Sequence, residues 1–254
     1  VYRVSGRIPP GTLYVGILLY GRGGRVGNRL TDNELVIDDD GRFEVLIGTE
    51  QQPGNWLEAD GDETLVMVRQ YFTDRAAQQP IELSIDFLGE QQPPVPLDGE
   101  RMAVQVAMAE RMLQAVFERT LLAHKMASNA GPNIVFRVPE DSLFPTPDNV
   151  YRVARFRVGE GQRLVLSGKP PAARYFSVTL YKRWLESYDY LKHTISLNHE
   201  QIVYEADGSF RITIAPQAAD GPNQLDTAGH LEGYLVIRAL LPEGDMPDFE
   251  LAAQ

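Results

Sequence analysis

Asp226 and His230 stand in the stretch "DTAGH", four residues apart, inside the longer run "GPNQLDTAGHLEGYLVIR" from Gly221 to Arg238. A histidine exchanges a proton near neutral pH, and a nearby carboxylate can orient its ring. The pair is therefore the first candidate for acid–base catalysis. Arg238 closes the run and could hold a carboxylate or phosphate through two parallel hydrogen bonds. A structural reading competes. Asn223 and Asp226 are natural turn formers, Gly229 supplies a turn, and Arg238 can brace a sheet. Upstream, "KRWLESYDYLKHTISLNHE" brings Trp184, Tyr188, His193 and Asn198 together with Tyr190 and His199. Trp184, Tyr188 and Tyr190 could stack on a sugar or a flat ring, or close a core. Trp184, Tyr188, His193 and Asn198, with Asn223 and Arg238, form the candidate ligand-binding set.

The elements that would carry them are strands. Before residue 89 the chain shows short runs rich in β-branched and aromatic residues, bounded by Gly, Pro, Asn and Asp, such as "TLYVGILLY", "RFEVLIG" and "TLVMVRQYF". The Pro-rich stretch "GEQQPPVPL" follows. A helix is expected from Gly99 to about Ser128, capped by Asp98 and ended by "NAGP". Met102, Val106, Ala109, Leu113, Val116 and Phe117 recur at helical spacing, so this helix is expected to pack one face on a sheet. Strand patterns return from residue 149 onward.

The second set of strands copies the first. Ser5-Gly6 matches Ser167-Gly168, and Leu19-Tyr20 matches Leu180-Tyr181. Asp40-Gly41-x-Phe43 matches Asp207-Gly208-x-Phe210, Asn55-x-Leu57 matches Asn223-x-Leu225, and Val68-Arg69 matches Ile237-Arg238. Five coincidences in one order indicate duplication. The fold expected is mainly β: two duplicated antiparallel β-sandwich domains, jelly-roll-like, bridged by one long amphipathic helix. Their bounds are 1–88, 89–148 for linker and helix, and 149–254. The second copy has a strand and a helix ahead of its Ser-Gly. The first has neither, so an upstream strand and helix are expected to be missing from its start.

The repeat also sorts the candidates. Arg69 matches Arg238 and Asn55 matches Asn223, which favours scaffold roles for both arginines and both asparagines. Asp226 and His230 have no such partners, so function is expected in the second copy or in a cleft between the copies. "GRGGRVGNRLTDN" in the first copy lacks the strand–glycine–helix context of a dinucleotide site.

Composition narrows the classes further. With Lys+Arg 24 against Asp+Glu 35, the net charge is −11, which disfavours nucleic acid and anionic membrane surfaces as partners. The chain has no cysteine, so disulfides and thiolate chemistry are excluded. The histidines lack metal-ligand spacing, so neither a metal nor a cofactor is expected. No apolar run reaches membrane-spanning length and no leader is visible. The compartment stays open, with the cytoplasm favoured. The partner expected is a small-molecule ligand of unassigned class.

Three stretches resemble a bacterial family of uncharacterised proteins, the domain-of-unknown-function 1214 family. They are "DGRFEVLIGTEQQPGNWL" with "LVMVRQYFTD" and "QPIELSI"; "PDNVYR"; and "WLESYDYLKHTISLNHEQIVYEADGSFRITIA" with the Gly221–Arg238 run. The resemblance implies β-sandwich, jelly-roll-like domains and no established reaction. The family pattern has Asn-Trp-Leu in both copies. This chain keeps Trp56 but has Gln224 in the second.

Overall fold

The structure is a computed structural model that describes residues 1–91, 93, 95–138 and 146–254, without the side chains of residues 119 and 123. The described residues separate into two compact units, Val1–Met108 and Ala109 onward.

In the first unit, β1 (Tyr2–Arg7), β2 (Tyr14–Gly21), β3 (Val26–Thr31), β4 (Arg42–Gly48), β5 (Asn55–Glu58), β6 (Glu63–Tyr71) and β7 (Glu82–Phe87) form two sheets. One runs β5-β4-β1-β7 and the other β3-β2-β6. Val4, Ile17, Leu19, Phe43, Val45 and Leu57 come from both sheets and meet in one core, which makes the unit a sandwich.

α1 (Gly99–Ala130) comes next, and then β8 (Phe136–Arg137), β9 (Asn149–Arg157), β10 (Leu164–Gly168), β11 (Tyr175–Tyr181), β12 (Ser196–Asn198), β13 (Phe210–Ala215), β14 (Gln224–Asp226), β15 (Glu232–Leu240) and β16 (Glu250–Ala253). The second sandwich pairs the sheet β14-β13-β10-β16 with the sheet β12-β11-β15-β9-β8. Strand for strand, the first of these repeats β5-β4-β1-β7. The second repeats β3-β2-β6 and adds β9 and β8 at the β15 edge. Phe156, Leu166, Phe176, Leu180, Phe210, Ile212 and Leu235, all fully or almost fully buried, fill its core.

The sheets are antiparallel with one exception in each unit. β4 pairs β5 in parallel, and β13 pairs β14 in parallel. An alternating apolar pattern is the same whichever way the neighbour runs, so strand direction was not readable from it. The turns behave as their residues require. Gly41 and Gly208 both have φ 81°, and in each case an aspartate just ahead accepts backbone N–H groups: Asp38 from Asp40 and Arg42, Asp207 from Ser209.

α1 departs from expectation. Its ends are as read: Asp98 accepts the Arg101 N–H at 2.9 Å, and Gly131 takes φ 93°. Its face is not. Val106, Leu113 and Phe117, expected against a sheet, are 59%, 71% and 59% exposed. Val104, Met108, Met112 and Leu122 are exposed as well, so apolar residues surround the helix rather than forming one stripe. Among the described residues it seats firmly near its C-terminal end, where Ala127 is fully buried.

Gly233 marks the tightest point of the second core. A Cβ there would strike the Tyr181 carbonyl oxygen and lie 2.7 Å from both Phe156 Cζ and the Tyr188 hydroxyl. A backbone atom cannot yield as a side-chain tip can. Gly233→Ala is therefore expected to cost about 2–3 kcal/mol by overpacking, read as a lowered midpoint in urea unfolding with unchanged slope.

Candidate functional site

One end of the second sandwich collects most of the candidate residues. It is built by the segment between β11 and β12 and by the turn from Asp226 to Leu231 that enters β15. The Asp226 N–H donates to the Thr194 carbonyl at 2.8 Å, which ties the two segments together. Ala228 at φ 51° and Gly229 at φ 82° turn the chain back toward β15. The Thr227 side chain, fully buried, donates to the His230 carbonyl and closes this turn.

Asp226 does meet a histidine here, but the partner is His193. His193 Nδ1 lies 3.0 Å from Asp226 Oδ2. The other carboxylate oxygen accepts the Ala228 N–H at 2.7 Å. Since the carboxylate can only accept, Nδ1 carries the proton, and Nε2 of a neutral His193 is left as the basic nitrogen. The His193 side chain is 31% exposed and that of Asp226 18%. His230, the partner expected from spacing alone, is exposed, and its ring lies against that of Tyr188 with centroids 5.1 Å apart. Four residues of separation suit a helix; in this tight turn the same spacing leaves both oxygens of Asp226 bonded elsewhere.

Asp189 sits beside this dyad. Its carbonyl accepts the His193 N–H at 3.0 Å, and Lys192 holds its carboxylate at 3.0 Å. The Lys192 ammonium, first, and the Leu191 N–H keep the Asp189 carboxyl below the usual carboxylate range, outweighing the smaller effect of desolvation. Tyr188 is not open to a ligand. It is 2% exposed, its hydroxyl donates to the Tyr181 carbonyl at 3.2 Å, and burial pushes its phenol up to about 12.

Trp184 is open, at 55% exposure. Its ring stacks with that of His124 at 6.5 Å, and the Arg183 guanidinium lies 5.7 Å from its centre. His124 Nδ1 is in turn 2.7 Å from the Tyr234 hydroxyl. His124 and Tyr234 were missed in the sequence. A single histidine late in a helix has no local pattern, and only the fold brings it to β15.

Asn223 and Asn198 work on the backbone. Asn223 accepts the Val203 N–H at 2.9 Å and donates to the Val203 carbonyl at 2.7 Å. Its repeat partner Asn55 does the same to Val36, at 2.7 and 2.8 Å. Asn198, 6% exposed, accepts the N–H groups of Glu200 and Gln201 and so caps a turn. Arg238 lies over the Tyr151 ring at 5.2 Å, while Arg69 donates to the Tyr20 hydroxyl at 2.8 Å. Each arginine thus has an aromatic partner on its own sheet. Trp56 pairs with Leu46 across β4 and β5, and its indole nitrogen is buried without an acceptor among the described residues.

Two open depressions lie elsewhere. One of about 860 Å³ in the first unit is lined by Ser5, Arg42, Glu44 and Ser84 among others. One of about 490 Å³ in the second is lined by Asn133, Arg157, Gln162 and Glu232 among others. Neither contains His193, Asp226 or His230. Among the described residues, no three His, Asp or Glu side chains gather as a metal would require, and no helix is long and apolar enough to cross a membrane.

The comparison that decides the family is a match to the model of the protein of unknown function DUF1214, over residues 21–75 and 154–244. The chain belongs to the DUF1214 family. The two matched segments fall one in each sandwich. Among solved structures, the chain is similar to an uncharacterised protein of Burkholderia cenocepacia, with 26% identity, TM-score 0.87, and coverage of 100% of this chain and 72% of that one. It also shares its fold with the VPA0106 protein of Vibrio parahaemolyticus, at 12% identity and TM-score 0.58, covering 99% and 85%. No curated protein matches it significantly. These two structural neighbours of this DUF1214 chain come from bacteria.

Two outcomes follow. Asn55→Ala and Asn223→Ala should each lower stability by about 1–2 kcal/mol, because each strands a Val N–H and carbonyl; paired denaturant titrations measure this. Tyr188 is raised above its unfolded value of about 10, so its contribution is complete below pH ~10 and is lost as pH rises towards 12. Stability against pH should fall across that window, and Tyr188→Phe should flatten the fall.

Proposed function

We propose that this DUF1214 chain binds a small organic ligand at the loop end of its second sandwich, with His193 as the proton-exchanging group and Asp226 as its orienting carboxylate. The observation that carries this reading is the 3.0 Å His193–Asp226 contact on a ring that is 31% exposed. A carboxylate that only served a turn would need no imidazole. An imidazole held by its Nδ1 presents Nε2 in a fixed direction, which is what general-base work or hydrogen-bonded recognition requires. On this reading His230, exposed on the adjoining turn, serves as a contact residue rather than as the base. Loops mounted on a rigid sandwich are a common location for such sites.

A second reading, a non-catalytic carbohydrate-binding module, is favoured by Trp184. Its half-exposed indole, backed by His124, offers a flat surface of the kind that stacks on a sugar ring.

A thermal-shift screen against small carboxylic acids, sugars and metal salts separates the two. A ligand present at a hundred times its Kd adds about 2.7 kcal/mol of stability, which raises Tm by several degrees. On the first reading, a hit loses that shift in His193→Gln and Asp226→Asn and keeps it in Trp184→Ala. The opposite pattern favours the sugar platform. A hit whose shift survives all three substitutions refutes both readings.

A further inference from the structure

The connection between β11 and β12 sets the second sandwich apart from the first. Their counterparts β2 and β3 are joined by residues 22–25, Arg-Gly-Gly-Arg. In the second unit the connection spans residues 182–195 and folds as two tight turns. The Tyr181–Ser187 bridge closes the first turn. Inside it the Lys182 N–H donates to the Glu186 carbonyl at 2.8 Å, and the Leu185 N–H to the Lys182 carbonyl at 2.9 Å. Asp189 closes the second. Its carbonyl accepts the Lys192 and His193 N–H groups at 3.2 and 3.0 Å, and its carboxylate accepts the Leu191 N–H at 3.2 Å. Tyr188, between the two turns in sequence, is buried and fixes the connection to the core.

Each turn carries an aromatic residue followed by a leucine. Trp184 and Leu185 are 55% and 43% exposed, and Tyr190 and Leu191 are 71% and 84% exposed. A cation adjoins each pair: Arg183 ahead of Trp184, and Lys192 after Leu191. Turns in water are ordinarily made of glycine and small polar residues. Leu185 departs further from that rule. It holds φ 61°, the left-handed region that glycine and asparagine occupy easily and leucine only with strain. A leucine that is both strained and exposed serves something other than the fold.

We propose that the two turns form a paired anchor that inserts into the surface of an electrically neutral lipid bilayer. Trp and Tyr settle at the boundary of water and lipid, with an apolar ring and a polar N–H or O–H. The leucines add apolar surface below them. Arg183 and Lys192 lay their stems along the tips and keep their charges among the headgroups. A stable protein interface needs roughly 800 Å² from each partner, whereas the apolar surface of this connection is confined to two dipeptides. The net charge of −11 selects against anionic headgroups, so apolar burial on a zwitterionic surface supplies the attraction. The anchor does not rest on the His193–Asp226 reading.

The test is co-sedimentation of the full chain with phosphatidylcholine vesicles. The chain should sediment with them equally at low salt and at about 0.5 M NaCl, because apolar insertion is not screened. The double variants Trp184→Ser with Leu185→Asn, and Tyr190→Ser with Leu191→Ser, should each weaken binding at least about tenfold. Leu185→Asn alone should weaken binding while leaving the urea midpoint unchanged or raised, a combination that a purely structural leucine would not give. Brominated phosphatidylcholine should quench the emission of the unmodified chain, and should fail to quench Trp184→Phe, in which Trp56 alone emits. No sedimentation with phosphatidylcholine, loss of binding at high salt, or binding that survives either double variant overturns the proposal.

Discussion

A sandwich holds only where each sheet covers the other across its full width, and that constraint organises this molecule. The second unit meets it: five strands face four, and side chains from both sheets close a continuous core. In the first, three strands face four among the described residues. Everything tightly held in the second unit inherits its rigidity from that coverage. Gly233 can have no side chain because Phe156, Tyr188 and the Tyr181 backbone already occupy the space. The turn that presents Asp226 is anchored on the same ground, through a threonine with no solvent exposure.

The loop end shows how a rigid support turns ordinary residues into an oriented group. His193 and Asp226 are separated by 33 positions. They come together because Asp226 gives its N–H to the Thr194 carbonyl while its carboxylate accepts from the ring. Tyr188, buried beneath His230, packs that surface from below. Asp189 and Lys192 add a solvent-facing ion pair whose worth in stability is small.

Much of the fold was legible. Strand periodicity, turn glycines and the ordered coincidences between the halves were enough for two related β-units and a capped helix between them. The repeat also sorted the asparagines soundly, since Asn55 and Asn223 make the same two bonds to Val36 and Val203. What was not legible depended on distance in space. The parallel β4–β5 and β13–β14 pairs leave no mark on alternation. Proximity in sequence favoured His230 for Asp226, whereas a non-local contact selected His193. Helical spacing of apolar residues is a statement about faces, and it says nothing about whether another surface is there to receive them.

That last point bears on how the chain comes apart. Most of a helix's stability in proteins comes from packing of one face, and intrinsic propensity alone sustains long helices only marginally. α1, 32 residues long, has little packing over its first six turns and draws mainly on its own hydrogen bonds and the Asp98 cap. The boundary between the two units falls inside it, between Met108 and Ala109. The least-packed stretch of the helix therefore coincides with the seam, which makes it the backbone that local opening reaches most readily.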